Sequence, residues 1–171
     1  SQSALDLDSS YEDTDACWAD IDRDGDLDLV VASGGNEFYG RDTHNTPRIY
    51  ANDGRGALTK LPNPFGNVFM TASTIVSDDI NGDGYPDFFI GARAVPYDYG
   101  EVPKSYLFLN NRNGTFQDVT ATYSNDLQQA GFVTRAVWFD LDKDGDNDLL
   151  LSLQWGGLVA FMKDGARYTK K

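Results

Sequence analysis

Three nine-residue stretches carry the chemistry that this chain can do. They are Asp20-Ile21-Asp22-Arg23-Asp24-Gly25-Asp26-Leu27-Asp28, Asp79-Ile80-Asn81-Gly82-Asp83-Gly84-Tyr85-Pro86-Asp87 and Asp140-Leu141-Asp142-Lys143-Asp144-Gly145-Asp146-Asn147-Asp148. In each, positions 1, 3, 5 and 9 are Asp or Asn, and position 6 is Gly. Alternate side chains of a tight turn point toward one centre, so the first, third and fifth can share an ion. Gly at position 6 supplies a backbone conformation that a side chain resists. The carbonyl of position 7 (Asp26, Tyr85 or Asp146) then turns inward, and Asp28, Asp87 or Asp148 closes the cage. Every donor is an oxygen. Many hard oxygens in a flexible loop suit Ca²⁺ better than Mg²⁺ or Zn²⁺, so three Ca²⁺ per chain are expected, one per stretch.

A merely solvated acidic loop explains one such stretch poorly and three worse. Carboxylates crowded together repel, which raises their pKa values and disfavours folding unless a cation is present. An EF-hand needs a bidentate Glu at position 12, where this chain has Val31, Ile90 and Leu151. The stretches run into short apolar segments, Leu29-Val30-Val31, Phe88-Phe89-Ile90 and Leu149-Leu150-Leu151. Those read as buried strands and not as amphipathic helices. Each stretch is therefore expected to turn one strand into the next.

The chain has 171 residues and a net charge of −13, enough for one domain with a sizeable core. Eleven of its carboxylates sit at positions 1, 3, 5 and 9 of the three stretches, so the acidity is largely local. It argues against nucleic acid, which needs a basic footprint. Cys17 is the only cysteine, so no internal disulfide forms, and its apolar surroundings make it a core residue rather than a nucleophile. No apolar run approaches membrane-spanning length, so no membrane insertion is expected. No signal peptide is visible. Calcium is plentiful outside cells, and the expected location is extracellular, secreted or cell-surface.

The stretches begin 59 and 61 residues apart, which points to a repeat architecture. Residues 1–15 are polar, without pattern, and look like the connectors at 62–70 and 120–131. Each unit then reads as four strands. Unit one has Ala16 to Ala19, a strand through Ala32, Pro47 to Ala51 and Ala57 to Leu61, with Asn52-Asp53-Gly54 as a hairpin turn. Unit two has Thr71 to Val76, Phe88 to Gly91, Ser105 to Leu109 and Thr115 to Val119. Unit three has Val133 to Phe139, Leu149 to Leu153, Leu158 to Met162 and Arg167 to Thr169. Residues 121–130 have room for one turn of helix. Four antiparallel strands, radially repeated, make a β-propeller blade. The predicted fold is all-β, a single half-propeller over 1–171 with blades at about 16–61, 71–119 and 132–169.

These units resemble FG-GAP or VCBS repeats, the calcium-binding blades of integrin α-subunit propellers and of many secreted bacterial proteins. Unit two matches best, with Phe65-Gly66, the acidic loop, and Gly91-Ala92-Arg93 where the family has Gly-Ala-Pro. Units one and three lack a clean Phe-Gly, and Asn147 stands where a small or apolar residue is usual. The resemblance implies an ion between strands one and two of each blade, held by the side chains at positions 1, 3, 5 and 9 and the carbonyl at 7.

Propellers close with about four to eight blades, and three are expected here. Two copies forming a six-bladed ring are expected, the alternative being the remaining blades of a parent propeller. The expected function is a calcium-stabilised binding or adhesion module for an extracellular protein or glycan. A lectin, with weak sugar sites in each blade, is one alternative. The propeller part of a polysaccharide-lyase-like enzyme is another, disfavoured by a single His and the lack of a nucleophile–base pair. Ligand recognition falls to the connections at 34–46, 92–103 and 154–157, with Tyr39, Arg41, His44, Arg93, Tyr97, Tyr99 and Trp155 as candidates. Trp18 and Trp138, two residues before their loops, are expected to pack between blades. Asn113-Gly114-Thr115 is a glycosylation sequon in an expected hairpin turn.

Overall fold

Alternating β-branched and aromatic residues, punctuated by acidic turns, give an all-β chain, described by a computed structural model over residues 3–171. The first sheet contains β1 (Asp13–Ala19), β2 (Asp28–Ser33), β3 (Arg48–Asn52) and β4 (Leu58–Lys60). The second contains β5 (Thr71–Asp78), β6 (Asp87–Ala94), β7 (Tyr106–Asn110) and β8 (Phe116–Asp118). The third contains β9 (Val133–Phe139), β10 (Asp148–Leu153), β11 (Gly157–Asp164) and β12 (Arg167–Lys170). Each is a four-stranded meander with its strands in chain order, all pairs antiparallel. The first strands lie side by side, β1 against β5 and β5 against β9, so the sheets are arranged like adjacent propeller blades.

β6 shows how one strand serves two interfaces. Successive side chains point to opposite faces of a strand. Phe88, Ile90 and Ala92 enter a cluster shared with Val30, Ala32 and Ile49 of the first sheet. Phe89 faces the other way, into a cluster with Val133, Leu149, Leu151 and Phe161 of the third. Blade contact is backbone-close at one point: Gly34 is buried against the Ala72 carbonyl, where a Cβ would collide.

A set of hydroxyls crosses between blades at matching places, six residues before each acidic loop. Thr14 donates to the carbonyls of Ala32 in its own sheet and Ala72 in the next, at 3.1 and 3.0 Å. Ser73 donates to Gly91 in its own sheet and Val133 in the next. Thr134 donates to Ser152 in its own sheet at 2.9 Å, and among the described residues no further sheet receives a second bond.

Three expectations need correction. Residues 1–15 are not all connector. Ser3 caps a single helical turn, α1 (Ala4–Leu7), and β1 begins already at Asp13. The polar side chains that hid this pattern have partners. Tyr11 covers the Arg48 guanidinium, and Asp8 accepts from Tyr50 and Lys60. Second, Trp138 joins the cluster between the second and third sheets, but Trp18 is 55% exposed. Its register partner is Leu29, on the face of β2 opposite to Val30 and Ala32. Both tryptophans point toward the preceding sheet's side, and among the described residues no sheet lies before the first. Third, residues 121–130 hold two helical turns, α2 (Thr120–Tyr123) and α3 (Asn125–Gln128).

Candidate metal centres and ligand cleft

The acidic stretches each join the first and second strands of a sheet, and their own carboxylates fold them. In the first, Asp20 accepts from the amides of Asp24 and Gly25, both at 3.1 Å, and Asp24 accepts from Asp26 at 2.9 Å. The second repeats this, with Asp79 accepting from Asp83 and Gly84 at 2.9 and 2.7 Å. In the third, Asp140 accepts from Gly145 at 3.2 Å. Position 6 is left-handed throughout, with φ of 97°, 86° and 96° at Gly25, Gly84 and Gly145. Position 4 is left-handed too, and there Arg23 and Lys143 carry side chains at φ 64° and 65°. Residue type does not announce that second left-handed position, because only Gly82 marks it.

The position-9 aspartates are buried and hold the loop to its sheet. Asp28 accepts from Ile21 at 3.0 Å and Asn52 at 2.8 Å. Asp87 accepts from Ile80 and Asn110 at the same distances, and Asp148 from Leu141 and Lys163 at 2.9 and 2.8 Å. Burial pushes the Asp87 carboxyl up to about 6 against those two amides, with Asp83 and Asp79 adding repulsion. Burial also raises Asp28 and Asp142. In the middle loop, the Arg112 guanidinium, 2.8 Å away, holds Asp83 below the usual carboxylate range.

This arrangement fits a divalent cation. One carboxylate oxygen from each of Asp20, Asp22 and Asp24 lies within 4.8 Å of the others, as do those of Asp140, Asp142 and Asp148. Asp140 Oδ1 is buried without a hydrogen-bond partner. Crowded, partly desolvated carboxylates with a spare acceptor are what a bound cation relieves. The middle loop differs, since Asn81 replaces one carboxylate and Arg112 already occupies Asp83.

The long connections meet elsewhere. Residues from three of them, Asn36, Arg93 to Val95 with Tyr97 to Gly100, and Gln154 with Trp155, line one cavity of about 360 Å³. Tyr97, Tyr99 and Trp155 are exposed, and Trp155 makes edge contacts with Tyr99 and Phe132 at 6.3 and 5.1 Å. Tyr39 packs on Tyr97 at 5.7 Å. Tyr97 holds φ 63°, a region that bulky residues avoid. Arg41 is exposed, and His44 lies apart, bonded to Asp42 at 2.7 Å and stacked on Phe38 at 4.0 Å. His44 therefore packs its own loop against the N-terminal segment, with Ser10 Oγ 3.1 Å from its Nε2 and Tyr11 beside its ring. Asn36 and Gln154 lie in connections expected to carry recognition although neither was a named candidate, and Phe132 lies outside all three. Burial raises the Cys17 thiol to about 12, as suits a core residue.

A family described as FG-GAP-like repeat matches residues 20–90 and again 79–151. Among solved structures, one described as the structural basis of specific recognition of non-reducing terminal N-acetylglucosamine by an Agrocybe aegerita lectin is similar in fold, with a TM-score of 0.55 and 21% identity. The likeness covers 91% of this chain and 37% of that one, so this chain spans little more than a third of its neighbour's length.

Proposed function

This chain belongs to the FG-GAP-like repeat family, and from that premise we propose that it is a calcium-stabilised β-propeller module that binds a ligand in the cleft of its long connections. The observation that carries this reading is the convergence of connections from all three sheets on one aromatic-lined cavity. Ligand pockets combine apolar and aromatic walls with a few polar groups. Here Tyr97, Tyr99, Trp155 and Phe132 supply the walls, and Asn36, Arg93, Asp98 and Gln154 the polar groups. Aromatic faces beside amides and charges suit a sugar, and the recognition of N-acetylglucosamine by the Agrocybe aegerita protein supports that class. The reading is of binding without catalysis. A glycan array probed in calcium-containing buffer tests it, with Trp155→Ala as the control. Binding lost in Trp155→Ala supports the cleft, and a protein partner recognised without any glycan favours an adhesin instead.

The ions are Ca²⁺. The ligands are the side chains of Asp20, Asp22, Asp24 and Asp28, of Asp79, Asn81, Asp83 and Asp87, and of Asp140, Asp142, Asp144 and Asp148, with the carbonyls of Asp26, Tyr85 and Asp146. Bound cations would neutralise the loops and fix the strand turns beside the core. A module that depends on calcium suits the calcium-rich space outside cells.

The blades also leave complementary ends. Trp18 is exposed on one, and Val137, Phe139 and Leu158 are exposed on the other. We place a second copy of the chain there, giving a six-bladed homodimer in which the third sheet of one copy receives the first sheet of the other. The contact between the second and third sheets is the template, because Trp138 already packs there as Trp18 would. Light scattering at working concentration tests this, and a stable monomer sinks it.

A further inference from the structure

Arg93 stands out in a chain of net charge −13. It is exposed at the inner end of the second connection, and among the described residues no carboxylate lies within ion-pair distance of it. It lines the aromatic cleft, and it also lines a second cavity of about 360 Å³ at the ends of the innermost strands. That second cavity is bounded by Thr14, Ser73, Thr134 and Arg135, so two guanidiniums and three hydroxyls face it and no acidic side chain does. Arg135 is held only loosely, 3.7 Å from Asp15, with its side chain 68% exposed.

We propose that the ligand is an acidic oligosaccharide, with one sugar ring in the aromatic cleft and the carboxylate of a neighbouring uronic acid residue on Arg93 and Arg135. This rests on the carbohydrate reading above. Trp155 and Tyr99 offer faces for a sugar ring, and Arg93, shared by both cavities, sits where one sugar unit gives way to the next. A guanidinium pairs with a carboxylate through two parallel hydrogen bonds. The three hydroxyls already spend their protons on carbonyls, so Thr14, Ser73 and Thr134 shape the second cavity while the arginines supply its charge. Tyr97, held in the left-handed region and lining the aromatic cleft with Arg93, fits a site that keeps strain for function.

The test uses the calcium-loaded chain, with the α-1,4-linked trisaccharide of galacturonic acid and its fully methyl-esterified form as probes. Titration calorimetry should show the acid bound at least roughly tenfold more tightly than the ester, as charge-assisted pairing predicts. Raising the salt should erode that difference. Arg93→Gln should abolish the preference without changing the melting temperature, whereas Trp155→Ala should weaken both ligands. Equal binding of acid and ester overturns the acidic class and leaves the sugar reading in place, and a preference that survives Arg93→Gln overturns the placement of the carboxylate on Arg93. If neither probe nor any neutral oligosaccharide binds the folded, calcium-loaded protein, both readings fall.

Discussion

Ser73 reaches out of the second blade to donate its hydroxyl to the backbone carbonyl of Val133 in the third. The same hydroxyl touches the Gly91 carbonyl in its own sheet at 3.1 Å, so one side chain holds a strand pair and a blade interface together. Ser73→Ala leaves two buried carbonyls short of a donor. The expected loss is about 1–3 kcal/mol, read from the midpoint of urea unfolding in calcium. A change well below that range would mean that water replaces the hydroxyl and that the bond carries no blade contact.

Much of this was written in the sequence, and what escaped it shares a cause. The repeat of acidic residues and Gly marked the places of three strand turns, because the first carboxylate of each loop accepts from the loop's own amides and Gly takes the left-handed position. The apolar runs after each loop located β2, β6 and β10. What stayed hidden is long-range. Tyr11 covers Arg48 and Asp8 meets Tyr50 across 37 and 42 residues, so a polar leader with no periodicity becomes an ordered cap. Trp18 was misplaced for a related reason, since position within a repeat sets where a side chain points but not whether a neighbouring blade is there to meet it. The cleft had candidates from each connection, yet only folding brought Asn36, Phe132 and Gln154 to it.

The two tryptophans now make a matched pair. Trp138→Ala removes a partly buried ring between the second and third sheets and should cost about 1–3 kcal/mol. Trp18→Ala should cost the isolated chain about 0.5 kcal/mol or less, as at other exposed sites. Thermal unfolding at low concentration checks both. A large loss from Trp18→Ala that grows with protein concentration would mark Trp18 as an interface residue, in keeping with a second copy.

Gly34 should tolerate no side chain. Its neighbour is the Ala72 carbonyl, which is backbone and cannot swing aside. Gly34→Ala forces the first and second blades apart and should cost about 1–3 kcal/mol. A substitution with no effect on unfolding would mean that the blades approach less closely than this contact requires.

Acid should release the leader. Burial opposes ionisation of Asp8, but the Lys60 ammonium and the Tyr50 hydroxyl outweigh it and hold the carboxyl below its ordinary 3.8. A depressed folded-state pKa gives stability that is present above 3.8 and lost as pH falls through the folded value. Amide exchange of residues 4–12 should therefore accelerate below about pH 4 relative to β1, and Asp8→Asn should remove that acceleration.

Calcium should decide whether the rest holds. A ligand that binds only the folded state contributes about 2.7 kcal/mol at a hundredfold excess over its dissociation constant, and three loops offer themselves. EGTA should lower the melting temperature sharply, and Ca²⁺ should restore it where Mg²⁺ does not. The loops should not respond alike. Arg112 sits 2.8 Å from Asp83, so the middle loop must share a carboxylate that a cation also wants. Arg112→Gln removes a repelling charge and should tighten the weakest calcium site by a factor of about three, the scale of one exposed ion pair. The first loop has no such arginine on Asp24 among the described residues and should bind unchanged. Calorimetric titration of both proteins separates the outcomes. A melting curve indifferent to EGTA would refute the metal reading. A titration unaltered by Arg112→Gln would refute the claim that Arg112 and the ion compete for Asp83.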